Sequence, residues 1–135
     1  MKMIPECTRD ILFLVEEKST IDQPCYISLS AIKHYEKLSK YDVDTILYHV
    51  RICLMSDLVF IPQEFKNSAS QYSYHIDLTP KGHEFLANVR SDTVWNKTID
   101  IAGKVGSYSL DIISKIAASV LSELIKQYIG QPLIS

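Results

Sequence analysis

The sequence predicts an α+β, mostly helical protein: a winged helix-turn-helix body over residues 1–90 and a C-terminal helical extension over 91–135. Three observations carry this. Apolar residues recur at helical spacing in separate capped stretches, most clearly in 42–56. Two short runs, 58–61 and 71–78, flank a polar loop and read as a β-hairpin. A long apolar-rich stretch bounded by Ser109 and Gly130 follows them as a last helix.

Pro5, followed by Thr8, Ile11, Leu12 and Val15 at helical spacing, predicts a first helix over about 5–17, with Lys18 suited to its C-terminus. Ser19 to Pro24 is a polar connection, and Cys25 to Leu29 is β-branched and aromatic enough for one edge strand. Ser30 then caps a short second helix, Ala31 to Leu38. Asp42 or Asp44 caps the third, which runs to about Ser56. Its apolar stripe is Val43, Leu47, Val50 and Leu54, with Ile46 and Cys53 beside it. Leu58 to Ile61 and Gln71 to Leu78 form the wing, with Lys66 to Ser70 as its loop and Tyr72, Tyr74, Ile76 and Leu78 on one face. Thr79-Pro80 opens a helix to about Arg90, and Ser91 restarts the chain into a helical piece around 94–102 that ends at Gly103 and Gly106. Ser109 or Asp111 opens the last helix, which continues to about Ile129.

Composition narrows the function. Hydrophobic residues are 47% and charged residues 22%, which excludes a disordered chain. Fourteen basic against sixteen acidic residues leave a net charge of −2, so any nucleic-acid contact must come from a local patch. No apolar run approaches a bilayer span and no secretory leader is visible, so the expected location is the cytoplasm, with no membrane contact. Cys7, Cys25 and Cys53 are odd in number and widely spaced, and read as free, at least half-buried thiols. His34, His49, His75 and His83 lie in different elements without metal-ligand spacing, and there is no phosphate loop or nucleophile elbow. No catalytic residue, metal or cofactor is expected; His49 and His83 read as structural, bonding backbone between packed helices.

The run Leu78-Thr79-Pro80-Lys81-Gly82-His83-Glu84-Phe85-Leu86, then Arg90-Ser91-Asp92-Thr93-Val94-Trp95-Asn96-Lys97, resembles the "LT-x-x-GH-x-FL … R-x-DT-x-WNK" block of the DUF2513 family. Tyr48-His49-Val50 with Ser56-Asp57-Leu58-Val59 is similar to its "YH … GLI" segment, and Ser107 to Ile113 resembles its "S-x-S-LDVI" start of the last helix. The likeness covers most of the chain from about residue 42. It implies a small phage- or prophage-associated bacterial protein with a winged helix, and hands over no catalytic residue. Trp95 reads as a plug docking the C-terminal helices onto the body, its truncation to alanine worth about 3–5 kcal/mol; Asn96 reads as a cap or loop bridge.

The helix over 43–56 takes the recognition-helix position. Opposite its apolar stripe it presents Thr45, Tyr48, His49, Ile52 and Ser56, with Arg51 and Met55 toward the edges. Lys33, Lys37, Lys40, Tyr48, Arg51 and, at the hairpin tip, Lys66 are the candidate contacts to double-stranded DNA. The apolar Ile52 and Met55 also suit the alternative, a module that binds or inhibits a host or phage protein. The last helix is apolar over more of its circumference than one packed face needs. Ile113, Ala117, Val120, Leu121 and Leu124 are therefore the candidate interface of a homo-oligomer, a dimer first. Truncation before Ser109 should leave the body folded and monomeric on a core of Leu47, Val50, Leu54, Ile76 and Phe85. The resulting expectation is a non-enzymatic, oligomeric DNA-binding regulator.

Overall fold

The computed structural model describes residues 1–130. It is mostly helical, with one small antiparallel sheet. The chain divides into two compact units, Met1–Leu86 and a second beginning at Ala87, so the boundary falls four residues before the expected one at Arg90.

In the first unit, α1 (Pro5–Lys18) starts on its proline and carries Lys18 in its last turn. Strand β1 (Cys25–Ser28) follows, then two 3-10 turns, Ala31–His34 and Glu36–Leu38, where one short helix was expected. The break is Tyr35. Its backbone is extended, and its hydroxyl donates to the Tyr26 carbonyl at 2.7 Å, which pulls the chain out of helical register. Ser28, rather than Ser30, accepts the Ala31 N–H, at 3.0 Å. Helix α2 (Val43–Met55) leads to β2 (Val59–Phe60) and β3 (Ser73–Leu78). The sheet order is β1-β3-β2, so β1 is an edge strand as expected. Cys25 pairs with Ile76 and Val59 with Leu78. Tyr74, Ile76 and Leu78 point inward at alternate positions onto a core that includes Ile11, Leu12, Val15 and Val50. Tyr72 lies beyond the strand and is exposed.

The Thr79-Pro80 start of α3 (Pro80–Val89) shows why that run of residues is needed. Thr79 Oγ1 donates to the Asp57 carbonyl at 2.6 Å and accepts the Gly82 N–H at 2.9 Å, while Thr79 N–H donates to the Leu58 carbonyl at 3.1 Å. One threonine thus ties the α2–β2 turn to the start of α3. Asp57 there has φ +60°, a left-handed conformation at the position where the resembling "GLI" segment carries glycine. Gly82 rests directly on the Leu58 backbone, and a Cβ at that position would overlap the Leu58 carbonyl oxygen. Gly82→Ala is therefore expected to destabilise the first unit by about 2–3 kcal/mol, because rigid backbone has to move. A urea-unfolding midpoint unchanged from the parent would contradict that.

The second unit contains α4 (Asp92–Val105) and α5 (Leu110–Gly130), joined by a short turn and packed on each other. Ser91 caps α4 by accepting the Val94 N–H at 3.1 Å, and Gly106 closes it at φ +84°. Gly103 lies inside α4 rather than at its end. Ser109 opens α5, accepting the Ile112 N–H at 3.2 Å. Asn96 is exposed within α4 and caps nothing, because Ser91 already does so. Ile113, Ala117 and Val120 are buried within the single chain, so the expected interface loses these three to intramolecular packing. Leu121 and Leu124 are only half-buried, and beyond them Ile125, Tyr128 and Ile129 are exposed.

Candidate nucleic-acid interface

Helix α2 begins at Asp42, whose carboxylate accepts the Thr45 N–H at 2.8 Å. That backbone hydrogen bond favours the anion and holds the Asp42 pKa below the ordinary carboxylate value. The buried side of α2 is Ile46, Leu47, His49, Val50 and Cys53, while Val43 and Leu54, expected in the stripe, are half-buried. The helix is thus rotated from its expected setting. His49, expected on the open face, turns fully inside. Its Nε2 accepts the Ile4 N–H at 2.7 Å, and its Nδ1–H donates to the Thr45 carbonyl at 2.7 Å. Ile4 precedes the first turn of α1, so its N–H has no helical acceptor, and the imidazole supplies one. His49 is thus the structural histidine that was expected, whereas His83 is exposed.

The exposed ridge of α2 is Asp44, Arg51 and Met55, with Tyr48 half-buried among them. Tyr48 and Arg51 line a cavity of about 240 Å³ together with Gln71 and Tyr72, and Met1 and Asp44 also border it. Gln71 and Tyr72 form the tip of the hairpin. Ser70 and Ser73 exchange backbone hydrogen bonds at 2.9 and 3.2 Å, and Ser70 Oγ accepts the Tyr72 N–H at 3.2 Å. The tip is therefore not Lys66-Asn67-Ser68. Residues Gln63–Ser68 form a 3-10 helix, held by Phe65 stacking on His75 at 4.3 Å. The pair of serines flanking Gln71-Tyr72 was the available sequence signal for this tight turn.

The other candidate cations are dispersed. Lys40 Nζ sits 3.1 Å from Glu6 and 3.3 Å from Asp10, and the Tyr41 hydroxyl donates to the same Asp10 carboxylate at 2.7 Å. This cluster ties α1 to the segment before α2, and the two carboxylates compete with any phosphate for Lys40. Lys37 lies over the Phe13 ring, 5.1 Å from its centroid, and borders a different depression with Glu17, Lys18 and Glu36. Lys33 and Lys66 are exposed. Only Tyr48 and Arg51 of the expected set meet in the groove.

All three cysteines are free and buried. Burial pushes the Cys7 and Cys25 thiols up to about 12 and raises that of Cys53 as well, so none presents a thiolate at neutral pH. Among the described residues, no group of three or more His, Cys, Asp or Glu is placed to hold a metal. Nor is any described helix long and apolar enough to cross a membrane.

The family model described as "Hypothetical protein (DUF2513)" matches residues 2–109. The chain belongs to the DUF2513 family. Within that match lie the Thr79, Gly82 and Asp57 junction and both halves of the α2–hairpin groove. A relative of this DUF2513 chain, described as "Uncharacterized protein" from Haemophilus influenzae (strain ATCC 51907 / DSM 11121 / KW20 / Rd), is 32% identical over 87 residues. The aligned stretch covers 63% of this chain and 72% of the relative. No solved structure matches the chain significantly.

Proposed function

We propose that the first unit is a winged helix-turn-helix and that the protein is a phage- or prophage-associated, non-enzymatic regulator that binds double-stranded DNA as an oligomer. The order α1, β1, α2, β2, β3 and the sheet order β1-β3-β2 support this reading, with two 3-10 turns standing where such a fold has its second helix. The observation that carries the reading is the groove joining Tyr48 and Arg51 on α2 to Gln71 and Tyr72 on the hairpin tip. A helix laid in the major groove would aim the Arg51 guanidinium at a guanine edge or a phosphate, and Gln71 has the paired donor and acceptor that suit adenine.

The test is a gel-shift titration with duplex DNA from the region upstream of the gene, against a scrambled duplex, at low and physiological salt. Arg51→Ala should weaken binding about tenfold or more, as expected for one lost bidentate contact. No retardation of any duplex at low salt, where phosphate contacts are strongest, removes the proposal. Met55, 72% exposed at the end of α2, favours a second reading in which the same face binds a host or phage protein. That reading stands if DNA fails.

For the oligomer, the surface that remains is the C-terminal half of α5: Leu121 and Leu124 with the exposed Ile125, Tyr128 and Ile129. Light scattering should give at least a dimer mass for the full chain and a monomer for Ile125→Lys/Ile129→Lys. A monodisperse full-length monomer rules the oligomer out.

A further inference from the structure

The DNA-binding face leaves unused a second groove in the first unit, of about 480 Å³, between the 20–24 segment and the β2–3-10 segment. Ile21, Phe60 and Phe65 supply apolar walls, and Asp22, Glu64 and Asp77 supply three carboxylates; no Lys, Arg or His lines it. Phe60 and Asp77 are register partners in β2 and β3, and Tyr74, Ile76 and Leu78 take the buried positions of β3. Asp77 is thus on the outer face of the sheet. Phe65 is fixed by its stack on His75, which stacks in turn on Tyr26 at 4.5 Å.

The opposite wall is also held in place. Thr20 N–H donates to the Gln23 carbonyl at 2.9 Å, and Gln23 N–H donates to Thr20 Oγ1 at 3.0 Å. This closed turn carries Ile21 with 98% of its surface exposed. An isoleucine presented to water on an ordered turn, bordering the same groove as two phenylalanines, is apolar surface that a partner can cover. None of the three carboxylates pairs with a described lysine or arginine. Asp77 Oδ1 accepts the Leu78 N–H at 2.7 Å, which leaves its second oxygen available.

We propose that this groove docks an extended segment of a partner protein in which an apolar side chain is flanked, at every second position, by arginine or lysine. In an extended chain alternate residues share one face, so such a segment would set its apolar side chain between Ile21 and Phe60. Its cations would then reach the Asp22, Glu64 and Asp77 carboxylates through charge-assisted hydrogen bonds. Nucleic acid is disfavoured here by the same three negative charges.

The test is a titration of the ¹⁵N-labelled full chain with the blocked peptide Ser-Arg-Ser-Leu-Ser-Arg-Ser, followed by amide chemical shifts. Saturable shifts are expected at Ile21, Phe60 and Phe65. Binding should weaken about fivefold or more in Asp22→Asn/Glu64→Gln, which removes two charges from exposed positions, and likewise in Ile21→Ser. The proposal is overturned if no saturable shifts appear or if the Glu-for-Arg peptide binds equally well. Indifference of either variant overturns it too. Shifts of the same amides on adding duplex DNA instead would assign the groove to nucleic acid. Shifts on raising the protein concentration alone would assign it to a second copy of this chain.

Discussion

Replacing His49 with alanine is expected to lower the unfolding free energy of the first unit by about 2–5 kcal/mol, the cost of a core cavity plus the loss of the acceptor for the Ile4 N–H. The ring is wholly buried and bridges two elements, taking the Ile4 N–H ahead of α1 and giving its own N–H to Thr45 in α2. Removing it orphans the Ile4 donor at a helix start where no backbone acceptor is in place. His49→Phe refills most of the volume without restoring the acceptor, and should recover only part of the loss. Urea unfolding followed by far-UV circular dichroism measures both variants. A phenylalanine variant as stable as the parent would show that the hydrogen bonds contribute nothing.

Trp95→Ala should cost about 3–5 kcal/mol, the range for deleting a buried large aromatic. Trp95 is 6% exposed and shares the buried side of α4 with Val94, Thr98 and Ala102. The loss should appear as faster amide exchange through α4 and α5, since these helices pack on each other. Ser91→Ala, which removes only the cap, should cost about 1 kcal/mol and give the scale for the comparison. If the Trp95 variant exchanges no faster than the Ser91 variant, Trp95 is not the anchor of this unit.

Much of the fold was legible because the signals are local. Asp42 with Thr45, Thr79 with Gly82, and Ser91 with Val94 are each three residues apart, so a cap is visible wherever a hydroxyl or carboxylate precedes an apolar repeat. The hairpin strands, the αL glycine at Gly106 and the edge position of β1 were legible in the same way. For the candidate interface, Tyr48 and Arg51 could be placed on an open helix face. Gln71 and Tyr72 could not be joined to them, because that proximity is made by the sheet.

The sequence by itself therefore determined the number, type and ends of most elements, and with them the α+β class and the family. Tertiary structure decided which side of each element is used. Tyr35 breaks the second helix to reach a carbonyl nine residues away, and His49 turns inward to meet an N–H forty-five residues away. Phe65 leaves the hairpin loop to stack on His75, which moves the tip from Lys66 to Gln71-Tyr72. Ile113, Ala117 and Val120 are buried within the chain, so part of the apolar width of α5 is taken up by intramolecular packing. The physical reason is common to all four. Helical periodicity specifies that a face is apolar, but which neighbour covers it depends on contacts between residues far apart in the chain.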